Sequence, residues 1–200
     1  MKNFSRNFFL FIFTVVLGAM FLSSEVGISS SPDFDLSARS ALLMEYETGR
    51  IIYEKNPYQQ LPPASMTKIM TLLLVMEAVE DGRAHLDDRV IASQNAASRG
   101  GSQIWLEAGE EMTLETMLKA IAIVSANDAC VAVAEYLYGT VDNFVDKMNA
   151  KAQALGLKDT YFYNTNGLPP DDNRTQGNYT SAYDMAVMAR ELLKHARVLE

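Results

Sequence analysis

Cysteine is almost missing from this sequence. The one residue, Cys130, cannot close an internal disulfide, so no disulfide framework organises the fold. Histidine is nearly as scarce. His85 and His195 stand far apart, no residues show metal-ligand spacing, and each histidine reads as a surface residue, so no metal is expected. Basic clusters are missing too. The formal net charge is -8 and the acidic residues are dispersed, which argues against nucleic acid and against an anionic membrane surface as partners. There is no internal repeat and no low-complexity tract. What remains, 200 residues with 48% hydrophobic and 21% charged, is the make-up of a globular domain large enough to bury a core.

A long charge-free apolar stretch, from Phe8 to Leu22, lies near the N-terminus behind Lys2 and Arg6. A positive start followed by an apolar run too short for a full membrane span reads as a secretory signal, residues 1–28, and places the rest of the chain outside the cytoplasm. No Ala-x-Ala marks the cut before Ser29-Ser30-Ser31, and an uncleaved anchor is the alternative. Residues 29–37 read as a polar linker.

The next segment predicts a β-hairpin. Ala41-Leu42-Leu43-Met44 and Ile51-Ile52-Tyr53 flank Glu47-Thr48-Gly49-Arg50, with Gly49 free to take a positive φ. After a loop holding Pro57, Pro62 and Pro63, the chain reads as mainly helical. Ser65 to about Val79 is apolar on all sides and stops at Asp81-Gly82, so it should be central and buried. Thr113 opens a helix to about Val124, Asp128 caps one to about Tyr138, Thr140 one ending before Gly156, and Thr180 or Ser181 one over 182–194. A long polar loop covers residues 161–176. An early hairpin followed by a helical block is an α+β pattern. Met66, Met70 and Met76 read as core filler, and Cys130 as a small buried hydrophobe.

Two short motifs can carry chemistry. In Ser65-Met66-Thr67-Lys68 the serine and lysine are three residues apart, so on a helix the lysine reaches the hydroxyl. A serine needs a base, and a lysine becomes one only when burial disfavours its charged form. A helix start also favours a developing alkoxide or oxyanion. Ser-x-x-Lys arises by chance roughly once in a chain this long, and alone it would be a helix cap and a surface lysine. Its place between Pro62-Pro63-Ala64 and Ile69-Met70-Thr71-Leu72 favours the functional reading. The second motif, Ser125-Ala126-Asn127, sits at a corner between two helices. There a hydroxyl can relay a proton to a leaving amine, and an amide can hold a substrate carbonyl. Ser93-Gln94-Asn95 fits the same pattern but lies in a polar stretch and reads as loop or cap.

Pro63-Ala64-Ser65-Met66-Thr67-Lys68 with Ser125-Ala126-Asn127 resembles the D-alanyl-D-alanine carboxypeptidases among the low-molecular-weight penicillin-binding proteins. The hairpin around Glu47-Thr48-Gly49, Asn166-Gly167-Leu168 and Ser181-Ala182-Tyr183-Asp184-Met185 resemble that family too, so the likeness spans residues 38–200. The resemblance implies a β-lactamase/DD-peptidase-like fold without cofactor. It makes Ser65 the acylated nucleophile, Lys68 its proton acceptor, Ser125 an aid to proton transfer and Asn127 a substrate-binding residue. It implies removal of terminal D-alanine from peptidoglycan stem peptides, with β-lactams trapped on the same serine. Any membrane association would run through an N- or C-terminal anchor.

The family's third motif, Lys-Thr-Gly, has no counterpart: Thr48-Gly49 follows Glu47 and belongs to the hairpin turn. In the family it lies on a late strand that supplies a cation for the substrate carboxylate and one wall of the oxyanion hole. The expectation is an incomplete catalytic domain over residues 38–200, lacking the C-terminal sheet strands and negligibly active alone. Two alternatives remain open: a D,D-endopeptidase on the same scaffold, and a non-catalytic wall-binding protein. A class A β-lactamase would need a Glu in the 161–176 loop, which offers only Asp171 and Asp172.

Overall fold

The computed structural model describes residues 36–170 and 176–199. The signal segment 1–28, nearly all of the 29–37 linker, and Asp171 and Asp172 lie outside the described residues.

The hairpin forms as expected. β1 (Ala41–Met44) pairs antiparallel with β2 (Ile51–Lys55), with Leu43 opposite Tyr53 and Met44 opposite Ile51, so the register slips between Leu43 and Met44. That slip is a bulge. Glu45 builds the turn. Its carboxylate accepts the Glu47 N–H at 2.9 Å and the Thr48 N–H at 2.7 Å, and also the Thr48 hydroxyl, while Gly49 takes φ +74. These bonds, the Thr48 hydroxyl first, pull the Glu45 carboxyl down to about 2.

The predicted helix from Ser65 is split. Ala64–Thr67 is a 3-10 turn and α1 runs Lys68–Glu80, closing at Asp81 with Gly82 at φ +70. Ala64 enters with φ +47, a left-handed conformation that an α-helix does not continue, so Ser65 stands on a turn ahead of the α-helix. The region that follows also departs from expectation. It contains a two-stranded antiparallel ladder, β3 (Arg89–Ile91) with β4 (Glu111–Thr113), and a short helix α2 (Gln94–Ala97). Ser93 is the cap of α2, its Oγ accepting the Ala96 N–H at 3.0 Å. Strands of three residues are too short to show a period in sequence.

Three of the remaining helices start where their caps predict, at Thr113, Thr140 and Ser181. Thr113 Oγ1 accepts the Thr116 N–H at 3.2 Å and opens α3 (Leu114–Lys119), which widens into a π-turn over Ala120–Val124. α4 (Asn127–Tyr138) starts one residue before Asp128, so Asp128 lies in its first turn and is not its cap. Thr140 caps α5 (Val141–Ala154), with Gly156 beyond its end at φ +72. Ser181 caps α6 (Ala182–Leu192), accepting the Asp184 N–H at 3.1 Å.

α1 is the axis. Met70, Leu73, Val75 and Ala78 are fully buried where α4, α5 and α6 pack around it, and Phe144, Met148 and Met188 fill the gaps. Burying each of the larger of these side chains stabilises the fold by about 1.5–3 kcal/mol, and Ala78 by less. Cys130 is one of these buried residues, and burial pushes its thiol up to about 12. Two readings are corrected here. Met66 is exposed, because the 3-10 turn points it away from the core, whereas Met70 and Met76 are buried. His195 is buried, with Nδ1 2.7 Å from Glu80 Oε1, because the chain after α6 folds back onto the end of α1. Arg190 of α6 donates to the Tyr46 and Glu47 carbonyls and so ties the hairpin turn to the helices. Among the described residues the hairpin has no third strand, and Leu43, Ile51 and Ile52 are exposed.

The Glu45 turn gives a test by titration. Its contribution is fully present above the ordinary glutamate value of 4.5 and is lost as pH falls from there towards about 2. NMR should place the Glu45 midpoint near 2, and Thr48→Val should return it towards 4.5; an unshifted midpoint in the parent protein contradicts the turn geometry.

Candidate active site

Pro62 and Pro63 lead into the 3-10 turn, where Met66 N–H bonds the Pro63 carbonyl at 3.1 Å and sets Ser65 at the surface of the turn. The turn rests on a loop from much later in the chain. Gly167 sits so close beneath it that a Cβ there would lie 1.8 Å from the Ala64 carbonyl oxygen. With φ +84 as well, only glycine fits at this position.

Lys68 is the first residue of α1 and is 4% exposed. Its Nζ lies 3.3 Å from Ser65 Oγ, 2.8 Å from Asn127 Oδ1 and 2.8 Å from the Asn166 carbonyl oxygen. None of the three partners is a carboxylate. Burial is the main influence on the amine and lowers its pKa from the usual lysine value. A Cys130 thiolate would oppose this, but with the thiol at about 12 it stays neutral at physiological pH, and the lowering stands. The geometry suits a neutral amine. Its two N–H groups are taken by the Asn127 and Asn166 oxygens, and the lone pair is left for the Ser65 proton.

Asn127 opens α4 and is buried. Besides Lys68, it contacts the preceding loop: Nδ2 donates to the Gly100 carbonyl at 2.8 Å and the backbone N–H donates to the Ser102 carbonyl at 2.7 Å. One amide hydrogen remains beyond these bonds. Ser125 ends the π-turn at φ +62, a left-handed conformation that costs a non-glycine residue about 1–3 kcal/mol. Its hydroxyl is buried and has no hydrogen-bond partner. The structure thus brings Ser65, Lys68 and Asn127 into one hydrogen-bonded group and places the Ser125 hydroxyl at the same helix corner, unbonded to any of them.

Two contributors escaped the sequence reading. The Asn166 carbonyl is one, held by a web in which Asn178 Nδ2 donates to Thr67 Oγ1 at 3.0 Å and to the Asn164 carbonyl at 3.1 Å, and Thr71 donates to the Thr165 carbonyl at 2.7 Å. Asn166-Gly167 is a turn signal, and Asn166-Gly167-Leu168 was singled out for its family likeness, but neither pointed to the carbonyl as a partner of Lys68. The other is Asp128. This fully buried carboxylate accepts the N–H groups of Ile104, Leu106 and Ala129 at 2.9–3.2 Å. Ser93-Gln94-Asn95 takes no part. A cleft of about 770 Å³ lined by Met76, Glu80, His85 and Arg197 contains none of these residues and lacks a nucleophile with a base beside it.

Residues 26–199 match the family described as D-alanyl-D-alanine carboxypeptidase. The chain belongs to that family. A D-alanyl-D-alanine carboxypeptidase of Bacillus subtilis, DacF, is 55% identical over 161 residues, covering 80% of this chain and 40% of that protein. DacD of Escherichia coli is 35% identical over 190 residues, covering 92% of this chain and 47% of its own length. The chain therefore spans less than half the length of these two relatives. Among solved structures, the carboxypeptidase DacD from Francisella tularensis superposes with a TM-score of 0.77 at 38% identity, covering 88% of this chain and 41% of that one. The α+β fold is that of the D-alanyl-D-alanine carboxypeptidases.

In this carboxypeptidase-family fold, Asp128 fastens residues 104–106 to the start of α4. Asp128→Ala leaves two buried N–H donors and one half-buried one without their acceptor and should lower the unfolding free energy by about 3 kcal/mol. Urea denaturation of the two proteins measures this; equal midpoints would show that the carboxylate does not clamp the loop.

Proposed function

We propose that residues 38–200 are part of the catalytic domain of a serine-type D-alanyl-D-alanine carboxypeptidase that acts outside the cytoplasm on peptidoglycan stem peptides. The observation that carries this reading is the Lys68 amine, buried among uncharged partners with Ser65 Oγ at 3.3 Å. No helix among the described residues is long and apolar enough to cross a membrane.

The Ser65–Lys68 geometry supports the acylation steps, and the role given to Ser125 rests on the family likeness. Ser65 Oγ attacks the carbonyl carbon of the penultimate D-alanine and passes its proton to Lys68 Nζ. The tetrahedral adduct then breaks its bond to the terminal D-alanine nitrogen. That amine takes a proton from Lys68, with the Ser125 hydroxyl as relay, and leaves. Water hydrolyses the ester on Ser65 to regenerate the hydroxyl. Asn127 keeps the lysine aligned through Oδ1 and offers its remaining N–H to the peptide. A β-lactam presents a strained amide to the same oxygen and leaves its acyl group there.

Labelled penicillin followed by peptide mapping tests the assignment in the protein as its gene encodes it. The label should sit on Ser65 and vanish in Ser65→Ala; label elsewhere, or undiminished labelling of that variant, removes Ser65 from its role. D-Alanine release from a pentapeptide, against cleavage of a cross-linked dimer, separates carboxypeptidase from endopeptidase.

The lysine makes its own prediction. Because burial lowers its pKa, the neutral base becomes populated below the usual lysine value, and acylation should rise with pH through that lowered value. Lys68→Arg keeps the cation but cannot give up a proton, so the pH-dependent limb should vanish and acylation should fall by about 10²–10⁴. An arginine variant with parent-like rate and pH profile would show that the lysine acts only as a charge.

A further inference from the structure

Asn166-Gly167 is the single Asn-Gly pair of the sequence. Such a pair is chemically labile, because the nitrogen of a glycine is unhindered and can attack the side chain of the asparagine before it. Here the second position admits no replacement. A Cβ at Gly167 would lie 1.8 Å from the Ala64 carbonyl oxygen, so glycine is obligatory. The pair also stands inside the site, since the Asn166 carbonyl oxygen accepts from Lys68 Nζ at 2.8 Å. The fold holds both reacting groups. Gly167 N–H donates to Asn164 Oδ1 at 2.7 Å, and Asn166 Oδ1 accepts the Leu168 N–H at 3.0 Å. Asn164 is fixed in turn: its Nδ2 donates to the Leu168 carbonyl at 2.8 Å, and its Oδ1 accepts from Asn178 Nδ2 at 3.1 Å.

When these bonds open, the Gly167 nitrogen gives up its proton and attacks Asn166 Cγ. The new N–Cγ bond forms as Cγ–Nδ2 breaks, and Nδ2 takes the proton and leaves as ammonia. The resulting five-membered imide contains the Asn166 backbone carbonyl carbon. Water adds to that carbon and breaks its bond to the Gly167 nitrogen. The product is isoaspartate: the chain now runs through Cγ, and the former backbone carbonyl is a free carboxylate. Addition of water at Cγ instead gives aspartate, with the carboxylate on the side chain. In the isoaspartate form, the group that faces Lys68 as a dipole has become an anion. Among the described residues, the titratable group that acts on this amine is Cys130, and its thiol is neutral. An anion in contact holds a lysine in its charged form. The proton acceptor for Ser65 is then lost, although Ser65 and Lys68 are themselves unaltered.

We propose that Asn166-Gly167 is a modification site, at which succinimide formation and hydrolysis to isoaspartate place a carboxylate against Lys68 and silence the acylation of Ser65. Asn164 protects the pair by holding the Gly167 N–H. The effect on acylation rests on the carboxypeptidase reading above; the modification itself does not.

The test ages the protein as its gene encodes it at mildly alkaline pH, beside Asn164→Ala, Asn166→Gln and the parent in urea. Peptide mapping and methyl transfer by protein isoaspartate methyltransferase read residue 166, and benzylpenicillin labelling reads Ser65. Asn164→Ala should gain isoaspartate at 166 about 5- to 100-fold faster than the parent, the factor expected for one lost buried hydrogen bond. Fully modified protein should acylate about 10- to 1,000-fold more slowly at neutral pH, and its pH-dependent limb should move upward. Asn166→Gln closes no five-membered ring and should keep its own starting label through the same ageing. If Asn164→Ala fails to fold, the parent in urea replaces it and should outpace the folded parent by at least the same factor. Equal rates with and without the protecting bonds, aspartate as the sole product at 166, or unchanged labelling of the isoaspartate form overturns the proposal and leaves the carboxypeptidase reading standing. A fresh parent that takes no label on Ser65 overturns that reading, while the mapping at 166 still decides whether the modification occurs.

Discussion

A lysine nitrogen buried without an anion is the constraint around which this structure is arranged. A charged ammonium in the interior ordinarily demands a carboxylate, and the partner then locks it in its protonated form. Lys68 receives dipoles instead: an amide oxygen, a backbone carbonyl and a hydroxyl. Each compensates burial in part, and none holds the proton. Asp128, next to Asn127, is occupied by the backbone N–H groups of Ile104, Leu106 and Ala129. The neighbouring Cys130 is kept neutral by its own burial. The charge pattern of the site is therefore set as much by where anions are occupied as by where they are missing.

The two residues at the start of α4 divide the labour of connecting elements. Asn127 faces α1 with its oxygen and the 100–102 segment with its nitrogens, and Asp128 holds 104–106. One helix end thus fixes the lysine and the loop beside it together. The left-handed Ser125 just before it has a structural reason as well. A π-turn followed by a residue at φ +62 lets the chain reverse sharply enough for α4 to begin with Asn127 already inside. Strain there is offset by the bonds that Asn127 and Asp128 make.

Much of this was legible in the sequence where a side chain speaks for itself. Ser65 and Lys68 are three residues apart, and that spacing brings them together on a 3-10 turn as it would on an α-helix. Thr113, Thr140 and Ser181 announce helix starts by their hydroxyls, and Ser93 betrays itself as a cap. Asn127 was visible through its place at a helix corner. The illegible parts are those carried by backbone or by distant packing. The Asn166 carbonyl belongs to a peptide group that every residue possesses. The β3–β4 ladder is three residues wide. His195 looked like surface because nothing local tells that the chain after α6 turns back against α1. Asp128 resembled a cap because its real partners lie 22 and 24 residues earlier.

The seating of Gly167 under Ala64 bears on the order in which the protein matures. The second acceptor for the Lys68 amine comes from a residue 98 positions later, and the turn that bears Ser65 has its floor in the same late segment. Contacts of such long sequence separation carry a large closure entropy and form after local ones. The serine and lysine can meet early, since they are neighbours on one turn, yet the nitrogen is not dehydrated or aimed until the later stretch has arrived. A newly made chain therefore passes through a stage in which its helices exist and the dry surroundings of the Lys68 nitrogen do not.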